Sequence, residues 1–110
     1  MKYVFDLDNT LCETQNSNYI ESIPFKDRIE KVNTLYDLGH TITIYTARGM
    51  GSTDNNQSKA IAKYYSLTES QLSLWGLKYH NLILGKPAGD FYIDDKGIND
   101  EYYFGSKIRP

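Results

Sequence analysis

Between two strand-like runs, Lys2 to Asp6 and Thr41 to Thr46, the chain carries Phe25, Ile29, Val32, Leu35, Tyr36 and Leu38 at helical spacing. Apolar residues recurring every three or four positions give a helix one buried stripe, whereas the alternation in Thr41-Ile42-Thr43-Ile44-Tyr45-Thr46 suits a strand. Gly39 supplies a C-terminal stop for a helix over residues 25–38 and returns the chain for the second strand. Strand, helix and strand in that order favour an α/β domain with a mainly parallel sheet. The fold class predicted is a Rossmann-like, three-layer α/β/α sheet flanked by helices, in a single domain over residues 1–110.

The rest of the chain fits this plan. Residues 11–24 lack a sustained period and read as a loop. Ala47-Arg48-Gly49-Met50-Gly51-Ser52 is a glycine-rich loop closing the second strand. Asn56 to Tyr65 looks helical, and Thr68-Glu69-Ser70-Gln71 has the capping-box spacing that opens a second short helix through Leu72 and Trp75. Asn81-Leu82-Ile83-Leu84 and Phe91-Tyr92-Ile93 read as short strands, and Tyr102, Tyr103 and Phe104 as a tail that packs back as a short helix or turn. Pro87 to Asp90 are too few for a crossover, which needs about a dozen residues between parallel neighbours, so residues 82–84 are expected to be an irregular or antiparallel edge.

Net charge −2, a pI near 5.6 and the lack of any Lys/Arg run argue against a nucleic-acid surface. A lone cysteine, Cys12, excludes an intramolecular disulfide, and nothing approaches 18 consecutive apolar residues, so neither a membrane partner nor a secreted location is expected and the compartment expected is the cytoplasm. Small metabolites, anionic ones included, remain open as ligands, held locally by a metal. Most of the ten tyrosines are scattered among apolar positions and read as half-buried packing residues with wet hydroxyls.

The chemistry concentrates at strand ends. Asp6-Leu7-Asp8-Asn9-Thr10 follows the apolar run Tyr3-Val4-Phe5 and places two carboxylates two residues apart where the chain leaves the sheet. Ligands of open parallel sheets gather at the carboxyl ends of strands, and Thr46, Lys86 and Asp94-Asp95 end segments that such a sheet would bring to the same edge. Together they supply what phosphoryl transfer through an aspartyl phosphate needs: a carboxylate nucleophile and a second acid, a hydroxyl donor, a cation, and hard oxygens for Mg²⁺.

In this order the motifs resemble the haloacid dehalogenase-like phosphatases, over residues 3 to 95. That resemblance implies that Asp6 is the nucleophile and Asp8 the general acid/base, with its backbone carbonyl on Mg²⁺. Thr46 and the amide of Ala47 would bind the transferred phosphoryl group and Lys86 would stabilise it. Asp94 would join Asp6 and Asp8 around the metal, and Asp95 would partner Lys86 or a metal-bound water. Asp8 favours phosphate-ester hydrolysis over the dehalogenase branch, which lacks an acid there. The family's lid insertion points, residues 11–24 and the loop after Thr46, are short, so the chain looks capless; such members act on projecting substrates or close the site with a neighbouring subunit, which makes a homo-oligomer an expectation. Tyr45 to Met50 with Gly85-Lys86-Pro87 and Phe91 to Lys96 are similar to small phosphatases encoded with capsular polysaccharide biosynthesis, which implies a sugar or polyol phosphate substrate. The short Lys86 to Asp94 spacing is also similar to deoxyribonucleotidases, although these carry a larger lid and glycine-valine where this chain has Asn9-Thr10.

Each residue has a plainer reading. The Asp-x-Asp-x-Thr string alone is a turn with a cap, Thr46 a strand threonine, Lys86 a solvated loop lysine and Asp94-Asp95 a strand-end turn; the ordered set is what points to chemistry. Arg48 either binds the distal part of a substrate or faces solvent. Tyr19 and Asn18 either line the entrance or anchor a loop. His40 reads as a surface turn residue, His80 lacks a second metal ligand, and Cys12 reads as packing rather than as a nucleophile. A non-catalytic divalent-metal module is the alternative from another class.

Overall fold

The computed structural model describes residues 1–109. In chain order the elements are β1 (Lys2–Phe5), β2 (Cys12–Glu13), a 3₁₀ turn (Tyr19–Glu21), β3 (Ile23–Pro24), α1 (Lys26–Asp37), β4 (Thr41–Thr46), α2 (Gln57–Leu74), β5 (Asn81–Leu84) and α3 (Asp100–Phe104). The strands β1, β4 and β5 form one parallel sheet in the order β1-β4-β5, flanked by helices, with Phe5 opposite Ile44 and Thr46 opposite Leu84. A helix joins each parallel pair, which is the crossover that parallel pairing demands. All three strands therefore present their carboxyl ends to one edge.

Alternation in β4 sends Ile42, Ile44 and Thr46 inward, and Ile42 and Ile44 are fully buried with Leu7, Leu11, Val32 and Leu72. The stripe read from α1 is narrower than its spacing suggests: Ile29 and Val32 are buried, Leu35 and Tyr36 pack beside them, and Leu38 is exposed. Helix α1 ends where Gly39 takes φ +93°, letting the His40 amide reach back to the Leu35 carbonyl. His80 ties β5 to β4, its amide donating to the Ile42 carbonyl while its Nδ1 accepts from the Ile42 amide and its ring stacks on Tyr36.

Four expectations are corrected. Residues 11–24 are not a plain loop, because β2 and β3 pair as a short antiparallel ribbon. The helices expected on either side of Ser66 are one continuous helix, capped at Asn56, whose side chain accepts from the Lys59 amide. Thr68 lies inside it, fully buried, because its hydroxyl has a tertiary partner that outweighs local capping. The segment at 81–84 is a regular parallel strand. The strand expected at Phe91-Tyr92-Ile93 is absent: residues 87–98 make no backbone–backbone hydrogen bond among the described residues, and all three side chains are exposed.

The tail does pack back, as α3. Its Phe104 is buried against Phe5, and Arg28 of α1, 2% exposed, holds this end by donating to the Thr10 carbonyl, the Asp100 carboxylate and the Ser106 carbonyl. The Arg28 guanidinium also lies 4.7 Å from the centre of the Phe104 ring. No helix among the described residues is long and apolar enough to cross a membrane.

Candidate functional site

Immediately after β1 the backbone turns sharply. The Thr10 and Leu11 amides both donate to the Leu7 carbonyl, and Asn9 adopts φ +63°, a left-handed conformation that asparagine tolerates better than most residues. Leu7 is buried in the core while Asp6 and Asp8 both border a cleft of about 580 Å³ at the carboxyl edge of the sheet. Thr46, Ala47, Arg48 and Lys86 border the same cleft, with Tyr19, Tyr64 and Tyr92 at its walls. Its volume is in the range of small-molecule sites.

Each carboxylate faces a cation brought from another strand. Lys86 Nζ donates to Asp6 Oδ1 at 3.2 Å, and Thr10 Oγ1 donates to Asp6 Oδ2 at 2.9 Å. Lys86 is fixed because its amide and that of Gly85 both donate to the Thr46 carbonyl and the Tyr92 ring centre lies 4.2 Å from its ammonium. Arg48 grips Asp8 through Nε, which donates to both oxygens at 3.2 and 3.0 Å, and through Nη2, which donates to Oδ1 at 3.0 Å. Thr14 adds a hydroxyl on Asp8 Oδ1 at 2.6 Å. Four donors thus converge on Oδ1, the Cys12 thiol at 3.6 Å among them, whereas Oδ2 accepts from Arg48 Nε alone.

Arg48 borders the cleft but does not face solvent. It is 1% exposed, and its Nη1 donates to Thr68 Oγ1 and Gln71 Oε1 on α2. Tyr19, at 4.9 Å from the guanidinium, lies over it and packs edge-on against Tyr64, while Asn18 lies away from the main cleft at a smaller depression. Gly49 permits this packing, because it has φ +77° and a Cβ there would stand 2.6 Å from the Tyr64 ring. Thr46 Oγ1 accepts from the Arg48 amide, which leaves its own proton to be donated toward the cleft. Cys12 is fully buried; burial first, and the adjacent Asp8 charge second, push its thiol up to about 11, so it stays protonated at neutral pH.

Asp6, Asp8, Thr46, Ala47, Arg48, Lys86 and Tyr19 are thus brought together, and Asp94 and Asp95 are not. Both lie on the exposed 87–98 segment outside the cleft, where Asp94 is held below the usual carboxylate range chiefly by the Lys96 amide. Mg²⁺ takes octahedral oxygen ligands. Here the cleft offers two carboxylates, each already facing a cation, and among the described residues no group of three or more His, Cys, Asp and Glu side chains stands together. Mg²⁺ is commonly held by one or two carboxylates with waters and a substrate phosphate, so Asp6 and Asp8 are the residues of this cleft that would hold it. The Arg48 anchors Thr68 and Gln71, the Asp8 partner Thr14, and Tyr64 and Tyr92 carry no local sequence signal, since their roles come from contacts across the fold.

No protein-family model matches the chain, and no curated protein matches it. Among solved structures the chain is similar to the crystal structure of an MCSG target from Vibrio cholerae, at 29% identity and TM-score 0.87, covering 97% of this chain and 89% of that one. It is also similar to a chain in the structure of a Pnkp1/Rnl/Hen1 complex, at 18% identity and TM-score 0.57, covering 94% of this chain and 33% of that one; this second likeness concerns the fold alone.

Proposed function

We propose that the chain is a capless, haloacid dehalogenase-like phosphatase of three-layer α/β/α build, hydrolysing a small phosphate monoester through an aspartyl phosphate. The observation that carries this reading is the pairing of two carboxylates at the end of one strand with two cations from the ends of others, Asp6 with Lys86 and Asp8 with Arg48, around one cleft. A carboxylate oxygen of Asp6 attacks phosphorus in line, forming an O–P bond as the ester P–O bond breaks. Asp8, protonated once the substrate is bound, gives that proton to the departing alkoxide. Water then attacks the aspartyl phosphate, Asp8 recovers a proton from it, and phosphate leaves as the Asp6 O–P bond breaks. Lys86 and the Thr46 hydroxyl stabilise the charge on the phosphoryl oxygens.

Mg²⁺ held by Asp6 and Asp8 would neutralise charge on the phosphoryl oxygens. A sugar or polyol phosphate, as in capsular polysaccharide synthesis, is the substrate class favoured by the motif likeness. Nucleoside monophosphates are the second reading, favoured by the short Lys86 to Asp94 spacing, with the aromatic residues Tyr19, Tyr64 and Tyr92 lining the cleft. The deciding measurement is phosphate release from a panel of both substrate classes, with Mg²⁺ or with chelator. Asp6→Asn is expected to lower turnover about 10³-fold or more while leaving the far-ultraviolet circular dichroism spectrum unchanged. Wild-type turnover in that variant would sink the covalent mechanism, and metal binding without turnover of any substrate would favour a non-catalytic module.

A further inference from the structure

The two carboxylates of the cleft hang on a turn that its own backbone does not fully hold. The Thr10 and Leu11 amides converge on the Leu7 carbonyl and the Asn9 amide reaches the Cys12 carbonyl, but among the described residues the carbonyls of Asn9 and Thr10 accept from no backbone amide. Asn9 moreover stands at φ +63°, a conformation that persists in a residue with a side chain only where surrounding contacts hold it.

Two arginines from outside the turn supply those contacts. Arg109 Nη1 donates to the Asn9 carbonyl at 2.8 Å, and Arg28 Nη1 donates to the Thr10 carbonyl at 2.9 Å. Both guanidinium groups also end on one carboxylate: Asp100 Oδ2 accepts from Arg28 at 2.6 Å, and Oδ1 accepts from Arg109. A planar fork anchored on a carboxylate points its remaining N–H groups in a fixed direction, so two forks on the two oxygens of Asp100 fix successive carbonyls together. Helix α3 sets Asp100 in place, its Asn99 cap accepting from the Glu101 and Tyr102 amides. Glu101 in turn accepts from the Ile108 and Arg109 amides, which ties Arg109 to the same helix.

The clamped residues are the ones that orient the carboxylates. Thr10 Oγ1 donates to Asp6 Oδ2 at 2.9 Å. Asn9 Oδ1 accepts from the Thr14 amide at 3.1 Å, and the Thr14 hydroxyl donates to Asp8 Oδ1 at 2.6 Å. One path therefore runs from Arg28 through Thr10 to Asp6, and another from Arg109 through Asn9 and Thr14 to Asp8. Arg28, Asp100 and Arg109 all lie outside the cleft lining, so they reach the site through the turn.

We propose that Arg28, Asp100 and Arg109 are positioning residues, clamping the Asn9 and Thr10 carbonyls and so setting the directions in which Asp6 and Asp8 face the cleft. The catalytic consequence rests on the phosphatase reading; the clamp itself does not. In-line attack tolerates little misplacement, a shift of about 1 Å costing about 10²-fold in rate.

Arg109→Ala removes the half of the clamp whose side chain is 41% exposed and leaves the buried Arg28 in place. On the preferred phosphate ester it is expected to lower kcat about tenfold or more with KM unchanged. Arg109→Lys is expected to recover part of the loss, since an ammonium reaches the carbonyl but does not bridge it to Asp100 as a fork does. Lys31→Met is the control: Lys31 donates to the Phe104 carbonyl, holding α3 to α1 without touching the turn, so this variant is expected to lose stability and keep its kcat. An Arg109→Ala kcat within about twofold of wild type, or an equal loss in Lys31→Met, would overturn the positioning role. Nuclear magnetic resonance reads the clamp without turnover. The side-chain carboxyl carbons of Asp6 and Asp8, and the Thr10 amide nitrogen whose peptide carbonyl loses its donor, are expected to shift in Arg109→Ala and to stay in place in Lys31→Met. Unmoved carboxyl resonances in Arg109→Ala would overturn the clamp whatever the rate. Shifted resonances in a protein that hydrolyses no member of the substrate panel would reject the phosphatase reading and uphold the clamp.

Discussion

Arg48 carries a full charge at a buried position, and four side chains share the task of making that tolerable: Asp8 with its carboxylate, Thr68 and Gln71 from α2, and Ser22, whose hydroxyl accepts from Nη2. Truncation would leave Asp8 partly buried without its cation and the Gln71 oxygen without its donor. Arg48→Ala is therefore expected to lower unfolding stability by about 3–5 kcal/mol, the range for breaking one side of a buried ion pair. Arg48→Lys restores a charge but not a fork that reaches Asp8 and α2 together, and so recovers only part of the loss. Urea titration followed by the fluorescence of Trp75 measures both. An Arg48→Ala loss below about 1 kcal/mol, the size of an exposed ion pair, would show that the fork contributes no more than a surface contact.

At the scale of elements, β1, α1 and β4 follow from periodicity because each buries a face set by its own spacing, and with them came the placement of Asp6, Asp8 and Thr46 at one edge. What was not legible depended on partners far away in the chain. Thr68 and Gln71 have the spacing of a cap, but both side chains turn to Arg48, so α2 runs through them. Phe91 to Ile93 have the composition of a strand, but composition does not state which edge can be reached. Arg28 is likewise silent in sequence, a charged residue on the buried side of α1 whose partners, Asp100 and Ser106, lie more than 70 positions away. This contact makes the docking of α3 sensitive to acid. Partial burial alone would raise the Asp100 carboxyl, but hydrogen bonds from Arg28 and Arg109 outweigh it and hold the group below its ordinary value. A carboxyl lowered on folding contributes stability that is present above its unfolded value, near pH 4, and lost as pH falls through the folded one. The wild type is thus expected to lose more stability between pH 5 and pH 3 than Asp100→Asn, which lacks the titrating group and starts about 1–3 kcal/mol lower at pH 7. Equal acid losses in the two proteins, by urea titration at each pH, would remove Asp100 from the account.

Across the whole molecule, protection of the backbone should follow the sheet outward from β4. Ile42 and Ile44 lie on the central strand with partners on both sides and no exposure, so their amides exchange only when the chain unfolds globally. Among the described residues β1 and β5 have one strand partner each and open at lower cost, and residues 87–98 have no ladder to protect them. Hydrogen exchange read by mass spectrometry is therefore expected to show protection falling from β4 to β1 and β5, and then to residues 87–98, whose amides exchange fastest. Protection at 87–98 equal to that of β4 would mean that the segment is sheltered by a surface that the single chain does not provide.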